Sequence, residues 1–336
     1  MKKCLAFLIL LVTLASCSND NPVNNTPVSS LFDDIILTKN PHDSALFIYG
    51  LNLNSMQQRY ITDMGIVGSN VYNNKFLLAK IGYFSYAEMY LYDLRTNVYN
   101  LIPRGNDYPV YASLSPDASK ILYTTDASNM LVVLNSDGTN RRVFSTVMNG
   151  RETLAEFSFD GKQIAYAERN PNAIYTIDTS GNNRFKVVEI SQPISGDRLA
   201  WSPDSKTIAF AHKTTSIRDN IWKVNTDGNG MVNLTNYEYG ESNPAFSPDG
   251  QYIAFVRYGS SGISDIMYMR TDGSNKINLT NTADVHEHEP SWSPDSKKIM
   301  YYKGLGGINR FYIYDIATQN VVQTDTIFTA YWNYTK

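Results

Sequence analysis

Residues 199–211 read LAWSPDSKTIAFA, residues 244–256 read PAFSPDGQYIAFV and residues 290–302 read PSWSPDSKKIMYY. Each stretch is an aromatic residue, a Ser-Pro-Asp turn and then a β-branched and aromatic run with the composition of a strand. Two looser copies lie upstream, Leu114-Ser115-Pro116-Asp117 and Phe157-Ser158-Phe159-Asp160. The Asp residues of the five copies are spaced by 43, 44, 45 and 46 residues. That period is the length of one four-stranded unit of a β-propeller.

The rest of each unit follows one plan. The strand after the turn is Ile121-Leu122-Tyr123, Ile164-Ala165-Tyr166, Ile208-Ala209-Phe210, Ile253-Ala254-Phe255 or Ile299-Met300-Tyr301. A third strand, such as Ile221-Trp222-Lys223-Val224, runs into a hairpin turn at Asp137-Gly138, Ser180-Gly181, Asp227-Gly228 or Asp272-Gly273. Gly suits such turns because it accepts positive φ without a Cβ clash. A short last strand ends in Asn233-Leu234-Thr235 or Asn278-Leu279-Thr280. In the Ser-Pro-Asp phrase Pro presets φ for the turn, and Ser and Asp can bond nearby amides. Asp117, Asp160, Asp204, Asp249 and Asp295 therefore read as turn residues, not catalytic ones. The aromatic or Leu before Ser reads as a residue of the innermost strand, packed between neighbouring units.

Both ends of the chain carry partial units. Asn73-Asn74-Lys75 stands 44 residues before Asp117, so residues 66–108 read as a degenerate unit without its Pro. Ile35-Ile36-Leu37, Ala45 to Tyr49 and Gln58 to Thr62 resemble strands two, three and four with no first strand before them. Ala330-Tyr331-Trp332-Asn333 resembles a first strand with nothing after it. The expectation is an all-β propeller of four-stranded antiparallel blades, seven in number, with a composite N/C-terminal closing blade that hides the sheet edges. Unpaired ends would give six blades.

Composition agrees with an all-β chain. Charged residues are only 18% of the 336, while 24 Tyr, 14 Phe and 4 Trp supply strand-forming bulk. Lys2 and Lys3 precede the apolar run Leu5 to Leu14, too short for a membrane span and suited to a signal peptide. Leu14-Ala15-Ser16-Cys17 resembles the bacterial lipobox, and that resemblance implies cleavage before Cys17 and its acylation with lipid of the palmitate kind. An ordinary signal peptide with an incidental Cys is the alternative. The expected organisation is residues 1–16 as lipoprotein signal peptide, 17–31 as a flexible lipid-tethered linker and 32–336 as the propeller. The second of the two Cys, Cys4, lies in the segment removed, which leaves no disulfide to form in the mature chain. Stable anchoring needs more than one acyl chain. The mature balance, 27 basic against 32 acidic residues or −5, does not draw the chain to nucleic acid. Ser18 after Cys17 is compatible with the outer membrane, facing the periplasm or the cell surface.

The repeat resembles the TolB-type, WD-like propeller repeat, from about residue 32 onward. Propellers of this kind serve binding proteins, peptidase gating domains and some lyases, so the resemblance implies the fold and leaves the activity open. In an antiparallel unit the stereotyped Ser-Pro-Asp and Asp-Gly turns share one face. The irregular connections, Lys213 to Asn220, Tyr258 to Asp265, Gly304 to Arg310 and Asn281 to Glu289, share the other, where recognition is expected. Aligning the copies places Arg198, Asn243 and Glu289 in equivalent positions before the innermost strands, with Glu241 and His288 close by. With Tyr258 these are the candidate ligand-binding residues of the channel mouth.

All four His, His42, His212, His286 and His288, fall on this face. His212, His286 and His288 are candidate metal ligands, and a polar rim is the competing reading of the same residues. Oligogalacturonate lyases resemble the chain in repeat type, and they bind a metal through channel histidines together with a glutamine. The match of those histidines to His212, His286 and His288 is approximate. Glu241 and Glu289 could pair for glycoside hydrolysis if they stood roughly 5–9 Å apart. No Gly-x-Ser-x-Gly elbow marks a serine peptidase, and no glycine-rich phosphate loop occurs. The leading expectation is a non-enzymatic envelope lipoprotein that needs no cofactor and binds a protein, peptide or glycan. The alternative is a metal-assisted polysaccharide lyase or hydrolase acting in the channel. A third reading makes the chain a component of a larger envelope complex.

Overall fold

The computed structural model describes residues 35–334 apart from short stretches, of which 40–46, 53–57, 81–87 and 145–154 are the longest. Every regular element among the described residues is a β-strand. The signal peptide, Cys17, the linker and His42 lie outside the described residues.

The Ser-Pro-Asp turn is built the same way five times. The Ser hydroxyl donates to the Asp carboxylate at 2.6, 2.7, 2.5, 2.6 and 2.6 Å in Ser115, Ser158, Ser202, Ser247 and Ser293. Each carboxylate also accepts the amide two residues on, from Ser119, Lys162, Lys206, Gln251 and Lys297. Each Ser oxygen in turn accepts the amide five residues on, where the second strand begins. The residue after Asp sits at positive φ in every copy: Ala118, Gly161, Ser205, Gly250 and Ser296. Three copies tolerate a side chain there because the Ser–Asp bonds hold the reversal. All five Asp are committed to the turn, as their spacing implied.

Five sheets have four strands each, and they span residues 109–144, 156–189, 194–233, 241–278 and 286–326. The sixth has nine strands: two joined four-strand runs and Gly65–Ile66, which pairs with Lys75–Lys80. In one run Val71–Tyr72 is followed by Lys75–Lys80, Glu88–Asp93 and Val98–Leu101. In the other the chain's last strand, Thr329–Tyr334, pairs antiparallel with its first, Ile35–Lys39, in the register Ile35 to Trp332 and Leu37 to Ala330. Phe47–Leu51 and Gln58–Thr62 complete that run. The composite terminal unit is therefore present. It does not stand as a separate seventh sheet, because Asn333 and Tyr334 pair in parallel with Val71 and Tyr72 and fuse it to its neighbour. Counted as hydrogen-bonded sheets the ring has six blades, the alternative count, and the expected seven is corrected accordingly.

The core lies between sheets rather than on the axis. At one interface Ala209, Ile221 and Leu234 of one sheet pack on Phe246, Ile253, Phe255 and Met267 of the next. Trp side chains peg the first strands together. The indole N–H of Trp201 donates to Glu156 O at 3.1 Å, that of Trp292 to Ala245 O at 3.0 Å and that of Trp332 to Ser291 O at 3.4 Å. Each acceptor precedes the aromatic residue of the neighbouring first strand, so one local phrase also sets the spacing between units. At the hairpin turns approach is equally close: a Cβ on Gly273, where φ is +89°, would lie 2.9 Å from Leu234 O of the preceding sheet.

Candidate functional site

The first strands surround the axis, and an inner-strand bulge sets which side chains enter it. Ser195 to Ala200, Ser242 to Ala245 and His288 to Ser291 each break register with the second strand. Asn243 and Glu289 occupy these bulges at φ +53° and +54°. Left-handed backbone is tolerable for Asn but costly for Glu, and strain of that kind concentrates where a side chain must be re-aimed. The following residues, Pro244 and Pro290, have no N–H to give the ladder, and a bulge accommodates that lack.

Arg198 holds the matching position one unit earlier. Its Nη1 donates to Pro290 O at 3.4 Å, a bond from one first strand to that of the second sheet along the ring. Three half-buried groups from other first strands share the field of this guanidinium: Tyr72, Glu156 and Tyr334. Desolvation pushes the Glu156 carboxyl up to about 7, against the opposing pull of Arg198. Burial likewise drives both phenols far above their ordinary value. The Tyr334 hydroxyl donates to Trp292 O at 2.6 Å, and its ring lies 5.6 Å from that of Tyr72. Among the described residues, groups from four other first strands thus lie in the field of Arg198 or bond to it.

Sequence reasoning found Arg198 and missed the other three. Glu156 was marked by a signal: the residue before the packed Leu or aromatic is Ser113, Ala200, Ala245 or Ser291 in the other copies, and Glu156 is the one bulky acid there. Tyr72 and Tyr334 carried no comparable mark, since Tyr72 lies in a two-residue strand outside the repeat phrase and Tyr334 in a strand with another Tyr and a Trp.

The other expected contact residues are dispersed. Glu289 is exposed and Asn243 half-buried, both at the ring position of Arg198. Glu241 is fully buried, and its Oε1 accepts Nε and Nη2 of Arg257 at 3.0 and 2.8 Å. The guanidinium lies 4.1 Å from the centre of the Tyr237 ring. Burial raises the Glu241 carboxyl pKa, opposed by bonds from Thr235 and Arg257. This carboxylate is held in an ion pair with Arg257, whereas that of Glu289 is exposed. The next unit repeats the device: Glu287, also fully buried, meets Lys303 at 3.2 Å and accepts the Thr282 hydroxyl at 3.0 Å.

His212 is buried between the rings of Phe210 and Trp222, and burial lowers its pKa against the pull of Asp219. His288 is half-buried against Tyr302, and its pKa is likewise lowered, mainly by burial, while Glu289 acts to raise it. His286 is exposed. Among the described residues no three His, Cys, Asp or Glu converge as a metal site, so the expected ligand set is not assembled. Tyr258 lies apart from the axis, in a cleft of about 450 Å³ between the loops of two neighbouring sheets.

Comparison with known proteins places this geometry. Residues 169–334 match the family model of the TolB beta propeller domain. Over that region the chain is similar to a TolB-type propeller. The ring is similar to TolB from Acinetobacter baumannii, at 15% identity over 94% of this chain and 89% of that one, with a TM-score of 0.57. A putative TolB from Agrobacterium tumefaciens is 20% identical over 78% of this chain and 95% of its own, with a TM-score of 0.53. An oligogalacturonate lyase solved in complex with manganese gives a TM-score of 0.64 at 16% identity, over 87% of this chain and 85% of that one. At such identities the likeness is one of fold. No curated protein matches the chain.

Proposed function

We propose that this TolB-type propeller is a binding protein of the bacterial cell envelope, tethered through lipid on Cys17 to the outer membrane. It holds a protein or peptide partner at the channel mouth and on the irregular loops around it. The observation that carries the reading is Arg198. Its guanidinium reaches from its own first strand to another, spends one donor on Pro290 O and meets no carboxylate in an ion pair among the described residues. A planar fork with donors to spare takes a carboxylate bidentately, which an acidic side chain or a chain terminus supplies. Glu289, exposed and aimed by its bulge, adds an acceptor at the equivalent position of its own unit.

The test is cross-linking and capture from detergent-solubilised membranes, with the full chain and its Arg198→Ala variant. A partner recovered by the first and lost from the second supports the reading; the same partners recovered by both oppose it. The manganese-bound lyase of similar fold motivates one further measurement, the metal content of the purified chain. Stoichiometric metal that disappears in a His286/His288 double substitution would favour lyase chemistry instead.

A further inference from the structure

The cleft that holds Tyr258 has a chemistry unlike that of the axis. It opens between the second-to-third connections of two neighbouring sheets, and Arg218, Asp219, Tyr239, Tyr258, Ser260 and Ser261 line it together with Gly240, Gly259 and Gly262. At about 450 Å³ it lies within the range of small-molecule sites.

Its aromatic walls are fixed in place. The Tyr258 hydroxyl lies 3.3 Å from Ser242 Oγ, and the Tyr258 amide donates to Gly240 O at 2.9 Å. The side chain is nonetheless 38% exposed. The Tyr239 ring packs edge-on to Tyr237 at 5.8 Å. Two rings, one held at its hydroxyl and the other by a neighbouring ring, present apolar faces to the cleft at little further entropic cost. The glycines clear the floor. Gly240, at φ +102°, leaves open the space a Cβ would occupy 3.8 Å from the Tyr258 ring, and nothing lies within 4 Å of a Cβ on Gly262.

The polar groups select the ligand. Among the described residues Asp219 Oδ1 has no hydrogen-bond partner, an acceptor whose desolvation is uncompensated until a donor arrives. Arg218 beside it supplies donors. One cation and one anion cancel, so a charged ligand gains little net attraction, whereas a hydroxyl gives a proton to Asp219 and accepts one from Arg218. Apolar ring faces, a backbone floor and adjacent donor and acceptor suit a neutral polyhydroxylated ring.

We propose that this cleft is a saccharide-binding site. It takes one or two neutral sugar rings, stacks them on Tyr258 and Tyr239 and orders their hydroxyls through Asp219 and Arg218. It is separate from the axial site of Arg198, so the propeller carries two binding surfaces.

The test is saturation-transfer NMR and calorimetry of the full chain in detergent. The probes are maltotriose, cellotriose, mannotriose, chitotriose and, as a charged control, trigalacturonate. At least one neutral trisaccharide should bind in the millimolar range or tighter, with affinity reduced about tenfold or more by Tyr258→Ala and by Asp219→Asn. Tyr258→Phe, which keeps the ring, should retain binding, and the Asn variant guards against loss of fold as the cause. Arg198→Ala should leave sugar binding as it is, which keeps this site's failure distinct from that of the channel mouth. Binding by none of the neutral sugars, binding by trigalacturonate alone, or neutral-sugar binding indifferent to both variants would overturn the proposal.

Discussion

Replacing Trp332 by Ala tests whether the two ends of the chain close the ring. Trp332 is 3% exposed and sits opposite Ile35 in the terminal strand pair. It packs with Leu51, Met300, Tyr302, Phe311 and Ile313, and its indole donates to Ser291 O. Truncating a buried Trp costs about 3–5 kcal/mol, and losing its hydrogen bond adds roughly 1 kcal/mol. For a domain spanning Phe32–Lys336, an unfolding entropy of about 2.1 cal/mol/K per residue amounts to roughly 0.6 kcal/mol/K. The expected fall in Tm is then about 7–9 °C, shared by the whole cooperative transition. Trp332→Phe, which keeps most of the buried ring and loses the bond, should cost about 1–2 kcal/mol. Calorimetry of both variants, with Val98→Ala on an exposed outer strand as the control, gives the comparison. An unchanged main transition with a small separate low-temperature step would show the last strand to be an ornament. The closure argument would then fail.

Four further outcomes follow from the same structure. Glu156 titrates near 7 when folded and near its ordinary 4.5 when unfolded, so the native state holds a proton that the unfolded chain releases. Stability should fall as pH rises from about 4.5 to 7, by roughly 3 kcal/mol in total, and Glu156→Gln should abolish that fall while matching the parent near pH 4 in a denaturant series. Ser202→Ala removes both the bond to Asp204 and the acceptor for the Thr207 amide, and urea unfolding should register a loss of about 1–3 kcal/mol. Arg257→Met leaves the buried Glu241 carboxylate unpaired and should cost about 3–5 kcal/mol, most of it recovered by adding Glu241→Gln. Cys17→Ser should move the chain from the membrane pellet to the soluble fraction, and equal pelleting of both forms would count against the lipid tether.

Much of the fold was legible because each unit is specified by contacts within a few residues. Ser202 finds Asp204 two positions on and the Thr207 amide five positions on, so the phrase that repeats in the sequence is also the object that repeats in space. The join of the termini was legible too, since Ile35-Ile36-Leu37 lacks a first strand and Ala330-Tyr331-Trp332 lacks a second. The blade count was not, because the parallel bridge from Tyr334 to Tyr72 that fuses two units depends on how closely their inner strands approach. Glu241 and Glu289 looked alike in the alignment as acids near the channel mouth. Two positions on an inner strand separate a carboxylate sealed against Arg257 from one in solvent, and alternation alone does not give depth.

The sequence by itself determined the repeating unit, its turns and the pairing of the two ends, all from local bonding and the period of hydrophobic strands. Only the tertiary structure decided which polar groups share the axis. Arg198 and Pro290 are 92 residues apart, and Tyr72, Glu156 and Tyr334 come from three other first strands. The rotation of each sheet against the next, set by interlocking of buried Trp and aliphatic side chains, turns these residues toward one another, and no single unit encodes that rotation.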